Sequence, residues 1–145
     1  MLTLVVGVGN PWRGDDAAGL ELVRRMAGTE VQVRTVEGDA SGLLETWAGH
    51  EHVAIVDAAA PVTRPGALHT FRADREPLPA AGLRSSTHAF GVADAIELAR
   101  ALGRLPARVD VYAVEGAEFA VGAGLSAPVA RTVGALAGTL SRAAR

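Results

Sequence analysis

Short apolar runs alternate with segments of helical periodicity along this chain, and this alternation limits the fold more than any other feature. Residues 2–8 and 52–57 are apolar on both faces and rich in β-branched side chains, which is typical of strands buried in a parallel sheet. Residues 31–36 and 108–114 predict two further strands, and the alternating residues 67–72 predict a strand at an edge. Strands separated by helices predict a three-layer α/β/α sandwich around a mostly parallel, twisted sheet of about five strands.

Helices are predicted between these strands, at about 15–27, 41–48, 88–102 and 126–143. Asp15 or Asp16 is suited to cap the first, and Ser86 or Thr87 the third. Gly103 stands where a left-handed residue commonly ends a helix. The stretch 73–86, which contains several prolines and glycines, predicts a long loop, and long loops in compact domains are often functional.

Length and composition exclude several classes of protein. A chain of 145 residues is the usual size of one domain, so we expect residues 1–145 to form a single unit. The absence of cysteine excludes disulfides, thiolate metal sites and a cysteine nucleophile. A net charge of −2, without a basic cluster, argues against nucleic acid as a partner. The chain shows neither a basic leader nor an apolar stretch of membrane-spanning length, so we expect a cytoplasmic protein, and a monomer.

The glycine-rich turn after the first strand is followed by two acidic residues and does not match a phosphate-binding motif. In GVGNPWRGDDAAG (7–19), Trp12 occupies the position of the third glycine of a dinucleotide fingerprint, and Pro11 removes an amide donor. The turn leads instead to Asp15 and Asp16. Adjacent helical residues point about 100° apart, so we expect one of these acids to face the site and the other to cap the helix.

Asp57 and His88 are the other two candidates for a site. Asp57 follows consecutive apolar residues, and a charge there must be solvated, paired or bound to a metal; tying loop amides is the structural alternative. His88 stands at the predicted start of a helix, where the dipole favours the neutral imidazole that binds metals; a surface cap is the alternative.

The rule that ligands bind beyond the carboxyl ends of parallel strands predicts that Asp16, Asp57 and His88 share one rim of the sheet. Two carboxylates and an imidazole suit a divalent metal ion whose shell is completed by water or substrate. His50 and His52 precede a strand and therefore belong to the opposite rim, while His69 lies on the edge strand. Lesser candidates on the site rim are Asn10, as a turn residue, Arg13, as a partner of Asp15 or of the substrate, and Glu115, which ends a strand.

These motifs resemble those of the hydrogenase maturation proteases. The resemblance begins with VVGVGNPWRGDDAAGLELVRRM (5–26) and continues through EGDASGLLETW (37–47), HVAIVDAAAP (52–61), STHAFGVADAIELA (86–99) and VYAVEG with GLSAPV (111–129), in the family's order and spacing. It implies an endopeptidase that trims the C-terminal extension from the large-subunit precursor of nickel-iron hydrogenases.

The resemblance also implies roles for residues. It places the family's metal-binding acid, Asp and His on Asp16, Asp57 and His88, and implies that this site recognises nickel already inserted in the precursor. Nickel would then arrive with the substrate, and other divalent ions would substitute in the free protein. We expect metal-assisted hydrolysis, with these three residues catalytic, although an aspartyl-type description is also used for the class.

Two departures and three rival interpretations remain. Residues 37–40 (EGDA) differ from the acidic-Gly-Gly-Thr sequence common in the family, and Ala89 replaces a Gln or Gly; both bear on which substrate is bound rather than on the class.

A peptidyl-tRNA hydrolase matches only residues 5–11 and would need a basic face. A metal-dependent escort that binds the precursor without cutting it, or a divergent peptidase with another substrate, stays open. Mass loss at the precursor's C-terminus distinguishes cutting from escort.

Overall fold

The computed structural model of the protein describes residues 1–79 and 90–143. The strands are β1 (Leu4–Gly9), β2 (Gln32–Glu37), β3 (His52–Ala59), β4 (Leu68–Arg72) and β5 (Arg108–Glu115). The helices are α1 (Ala18–Arg25), α2 (Leu43–Thr46), α3 (Val92–Leu102) and α4 (Ala127–Ala143), and a 3₁₀ turn, Gly14–Ala17, leads into α1.

The five strands form one sheet in the order β2-β1-β3-β5-β4. β2, β1, β3 and β5 run parallel, whereas β4 pairs antiparallel with β5 at the edge. The carboxyl ends of β1, β3 and β5 therefore meet at one rim, as predicted from the sequence. The edge position of β4 is also confirmed.

Helices cover both faces of the sheet, which confirms the predicted three-layer α/β/α sandwich. Helices α1 and α4 pack together on one face, and α2 and α3 on the other. The alternation along β3 divides its residues between the layers: Val53 and Ile55 enter the α2/α3 layer, and Ala54 and Val56 the α1/α4 layer. Because β3 is buried on both faces, its sequence is apolar throughout rather than alternating.

Close approach of α1 to the sheet depends on glycine. A Cβ atom on Gly19 would lie 2.3 Å from the carbonyl oxygen of Val56, so any side chain there would drive α1 off β3. A Cβ atom on Gly9 would likewise lie 2.0 Å from the carbonyl oxygen of Asp16. These two contacts fix the 3₁₀ turn and its acids against the ends of β1 and β3.

Three differences from the predicted element boundaries bear on the site. The predicted helix 15–27 is divided into the 3₁₀ turn and α1, which ends at Arg25. The strand predicted over 52–57 continues to Ala59, since β5 pairs with it to the end. Asp57 therefore lies within β3, two residues before its end, and not at the strand terminus.

The third helix also begins later than predicted. It starts at Val92, after an extended Gly91 whose N–H donates to the Asp94 carboxylate over 2.9 Å. His88 and the predicted caps Ser86 and Thr87 lie outside the described residues, as does Ala89. Gly103 does adopt the predicted left-handed conformation at the helix end, with φ 67°.

Across the described residues 1–79 and 90–143, no helix combines the length and apolar character needed to cross a bilayer.

Candidate active site

Asp16 is placed by the 3₁₀ turn that follows β1. Its backbone N–H donates to the Arg13 carbonyl (3.0 Å), and its own carbonyl accepts from the Asn10 N–H (3.3 Å). The turn packs against both β1 and β3, and Asp16 is fully buried. The sequence prediction that Asp16 lies at the carboxyl rim of the sheet is therefore confirmed, and its role there stays a prediction.

Asp57 lies on β3, beside the segment that carries Asp16. It pairs in register with Ala113 of β5, and its exposed fraction is 3%. One carboxylate oxygen accepts the N–H of Ala58 over 2.8 Å. Since Ile55 and Ala59 enter the α2/α3 layer, the alternation of the strand directs Asp57 to the same face.

Asp16 and Asp57 are both buried, and the segments that carry them contact each other. A buried carboxylate is costly as an anion unless it is hydrogen-bonded, paired or bound to a cation. Carboxylate oxygens are suitable ligands for divalent ions, so the two residues are candidate metal ligands.

Within the described ranges 1–79 and 90–143, no three His, Cys, Asp or Glu residues are arranged to hold one metal ion. Asp16 and Asp57 would therefore need a third ligand from elsewhere. The predicted third member, His88, lies outside the described residues, so the trio remains a prediction.

Asp15 has a different role from the predicted helix cap. Its carboxylate accepts the N–H groups of Ala117 (2.7 Å), Glu118 (3.0 Å) and Ser126 (2.7 Å), and the Ser126 hydroxyl (2.8 Å). Neither the 3₁₀ turn nor α1 has a side-chain cap hydrogen bond at its start. The cap interpretation is therefore wrong: this fully buried acid ties the loop after β5 to the turn after β1.

Asn10 is confirmed as a turn residue. Its side-chain oxygen accepts the N–H of Trp12 over 2.9 Å, which closes an Asx turn. Trp12 itself projects outward with an exposed fraction of 73%, and its carbonyl accepts the N–H of Gly122. The indole therefore stands at the outer edge of the rim, next to the loop after β5.

The variant loop 37–40 also lies near the rim. The N–H of Gly38 donates to the carbonyl of Gly9 at the end of β1 (3.1 Å), and the N–H of Ala40 donates to the carbonyl of Phe90 (2.9 Å). This loop therefore borders the turn that carries the acids.

Glu115 has a partner that the sequence did not indicate. The carboxylate, almost fully buried at the end of β5, lies 2.5 Å from Nε2 of His69 on β4. Its other oxygen accepts the three successive amides of Val62 (2.7 Å), Thr63 (2.6 Å) and Arg64 (3.2 Å). The sequence signal was weak because His69 and Glu115 are distant in the chain, and antiparallel pairing of β4 brings them together.

These contacts set the charge of Glu115. Burial by itself raises the pKa of its carboxyl, but the hydrogen bonds from His69, Val62 and Thr63 outweigh burial and lower the pKa from 4.5 to about 2. Glu115 is therefore an anion at neutral pH and only accepts hydrogen bonds.

A cavity of about 210 Å³ opens beside this pair. Its walls include His69, Glu115, Phe71, Val62 and Pro79, and Ala113 also lines it. Ala113 is also the register partner of Asp57, so the cavity adjoins the strand position that carries this acid.

His52 is confirmed at the opposite rim. It begins β3, and its Nε2 lies 2.7 Å from the Asp110 carboxylate, which Arg108 also contacts (3.1 Å). His50 contacts the Thr3 hydroxyl at the same end (3.1 Å). Neither imidazole lies on the rim of Asp16 and Asp57, because both precede the body of β3.

The chain is similar in sequence to a known protein family over most of its length. A sequence model described as hydrogenase maturation protease matches residues 19–143. The chain belongs to the hydrogenase maturation protease family. The matched segment contains Asp57 and begins three residues after Asp16.

Individual members of the hydrogenase maturation protease family are similar over most of the chain. The hydrogenase expression/formation protein HupD of Rhodobacter capsulatus is 31% identical over 121 residues, which are 80% of this chain and 58% of that protein. The present chain thus spans a little over half the length of that relative.

Solved structures from the same family share the fold. The [NiFe] hydrogenase maturation protease HybD from Thermococcus kodakarensis aligns over 100% of both chains, with a TM-score of 0.80 and 27% identity. The hydrogenase maturating endopeptidase HybD from E. coli aligns over 99% of this chain and 91% of its own, with a TM-score of 0.78 and 23% identity. The second likeness supports the fold alone.

Proposed function

We propose that this protein is a cytoplasmic endopeptidase that removes the C-terminal extension of a nickel-iron hydrogenase large-subunit precursor after nickel insertion. The observation that carries the proposal is the pair of buried carboxylates, Asp16 and Asp57, on contacting segments at the carboxyl rim of the sheet. Family membership supports the peptidase class. The precursor is the expected partner, and the protein is expected to act as a monomer.

In this proposal, Asp16, Asp57 and His88 together contact the nickel ion that the precursor carries. Two hard carboxylates and one imidazole bind a divalent ion incompletely, so the free protein binds metal weakly and the precursor supplies the remaining ligands. Recognition of the ion then makes cleavage depend on completion of the precursor's metal centre. The same residues hold the adjacent tail in place for hydrolysis.

The test compares nickel-loaded with metal-free precursor, mixed with the wild-type protein or with Asp57→Asn. The substitution keeps the shape of the side chain but removes its charge, so we expect a folded variant whose cleavage rate falls at least about 100-fold, the lower range for loss of one catalytic group. Mass spectrometry of the precursor measures loss of the C-terminal peptide. His50→Ala, at the opposite rim, is the matched control and should cleave normally.

The possible outcomes of this experiment distinguish the proposal from its alternatives. Cleavage of only the nickel-loaded precursor by the wild type supports the proposal. Binding without loss of mass would favour an escort protein, and normal processing by Asp57→Asn would remove Asp57 from the site. Equal cleavage of both precursors would refute nickel recognition.

A further inference from the structure

An acid–imidazole pair, formed by Glu115 and His69, lies on the same sheet face as Asp57. Asp57 on β3, Ala113 on β5 and His69 on β4 occupy one level across three adjacent strands. Register partners point to the same side of a sheet, and Phe71, two residues along from His69, packs in the α2/α3 layer with Ala113. Two strand spacings separate the Cα atoms of Asp57 and His69 by about 10 Å.

The residue between them leaves this space open. Ala113 contributes only a methyl group, and the 210 Å³ cavity lies over it. One water occupies roughly 30 Å³ of liquid volume, so the cavity has room for a water molecule together with part of a peptide. A peptide bond bound near Asp57 thus comes within reach of the His69 ring, whose side chain is 42% exposed.

Glu115 determines which nitrogen of the ring carries a proton. A carboxylate anion only accepts hydrogen bonds, so the His69 Nε2 facing it must be the donor. In the neutral ring, Nδ1 is then the nitrogen with the lone pair. Three backbone amides from 62–64 hold the other oxygen of Glu115, so the carboxylate that faces the ring is anchored to this loop.

We propose that His69 is the general base and acid of peptide hydrolysis and that Glu115 is its positioning residue. This inference rests on the proposed peptidase function and adds the group that moves the proton. As a water oxygen bonds to the scissile carbonyl carbon, one water proton passes to Nδ1. That proton then passes to the amide nitrogen while the C–N bond breaks, which leaves a carboxyl group and an amine and restores the neutral ring.

Glu115→Gln gives the sharpest test. The glutamine oxygen can still accept the three loop amides, but its NH₂ group then faces His69 and requires Nε2 to accept. The ring proton moves to Nδ1, which can no longer take a proton from water. The equivalent carboxylate-to-amide change in a Ser-His-Asp triad lowers kcat about 10⁴-fold through the wrong tautomer.

The experiment measures kcat and KM for cleavage of nickel-loaded precursor by wild type, Glu115→Gln, His69→Gln and His52→Gln. We expect kcat to fall about 100-fold or more in the first two variants, with KM changed less than about threefold. His52→Gln is the matched control, since its imidazole also contacts a buried carboxylate, Asp110, but at the opposite rim. It should keep the wild-type kcat. Urea unfolding of each variant establishes that it is folded at the assay temperature.

An independent measurement follows the ring itself. Nitrogen-15 NMR of histidine-labelled protein should show the Nε2–H form of His69 in the wild type and the Nδ1–H form in Glu115→Gln. This NMR measurement does not require cleavage, so the tautomer in the wild type can be determined even if one variant is too unstable for kinetic assays.

The outcomes separate this inference from the proposed function. If the wild type cleaves and Asp57→Asn does not, but both pair variants keep kcat within about threefold, the proposed function stands and the role of His69 is refuted. A raised KM at unchanged kcat also refutes proton transfer, because it assigns the pair to binding alone. If the wild type cleaves no precursor, it is the proposed function that fails. An Nδ1–H ring in the wild type would refute the assignment of the base.

Discussion

Asp15 offers a direct test of the way the rim is assembled. If it were a helix cap, Asp15→Asn would be almost neutral, since asparagine caps helices as well as aspartate. The structure shows a buried carboxylate that accepts four hydrogen bonds from the loop after β5. The two interpretations therefore predict different free energies of unfolding for a single conservative substitution.

The magnitude follows from how the four donors divide between the two oxygens. Within the described residues, Oδ2 accepts from Ala117, Glu118 and the Ser126 hydroxyl, and Oδ1 accepts from the Ser126 N–H alone. Asparagine can keep its oxygen at the Oδ2 position, so its NH₂ group opposes the Ser126 N–H. A hydrogen bond to a charged group contributes about 1.5–3 kcal/mol, and an unsatisfied donor costs about 1–3 kcal/mol. We expect Asp15→Asn to lower the free energy of unfolding by about 3 kcal/mol.

Two further variants test whether the loss of stability depends on how many of these hydrogen bonds are removed. Asp15→Ala removes all four hydrogen bonds and should lower the free energy of unfolding by about 5 kcal/mol. This is less than the four separate costs added together, because water can reach part of the loop and replace some of the lost bonds. Ser126→Ala removes only the hydroxyl bond and should cost about 1 kcal/mol. Urea unfolding followed by circular dichroism at pH 7 measures all three. A loss below about 0.5 kcal/mol for Asp15→Asn would refute the loop-anchoring role and restore the cap.

Two other predictions concern the stability of the protein. Because the folded pKa of Glu115 (about 2) lies below its ordinary 4.5, its ionisation stabilises the fold fully above pH 4.5, and the contribution is lost as the pH falls toward 2. The difference in unfolding free energy between wild type and Glu115→Gln should thus shrink from about pH 5 to about pH 3 in urea titrations, and a constant difference would contradict the low pKa. Gly19→Ala should cost about 3 kcal/mol because its methyl meets the Val56 carbonyl, whereas Gly42→Ala, with open space around it, should stay within about 0.5 kcal/mol. Equal thermal melts for the two glycine variants would show that α1 can move off β3 without loss.

Predictions from the sequence were most accurate where one chain segment carried the whole signal. The apolar stretch of β3 and the left-handed Gly103 depend on local composition and local backbone sterics, and both are confirmed. The start of α3 was misplaced because a favourable helix pattern extends upstream of Gly91, whereas Asp94 binds the Gly91 amide and begins the helix there.

The roles of the side chains could likewise be predicted from the sequence only in part. Adjacency of Asp15 and Asp16 showed that the two acids must differ, and their place after β1 located both at the rim. The sequence could not show that a distant loop, around Ala117 and Ser126, would use Asp15 as its anchor. The partners of a buried carboxylate depend on chain segments that meet only after folding.

The sequence by itself indicated the layers, the parallel sheet and the rim on which Asp16 and Asp57 lie, because strand periodicity and the alternation of strands with helices can be read along the chain. Tertiary structure alone decided the pairing of His69 with Glu115. Antiparallel addition of β4 to β5 sets their register, and Ala113 between Asp57 and His69 leaves the cavity open. Contacts of this kind depend on which strands become neighbours, and no single segment of the chain contains that information.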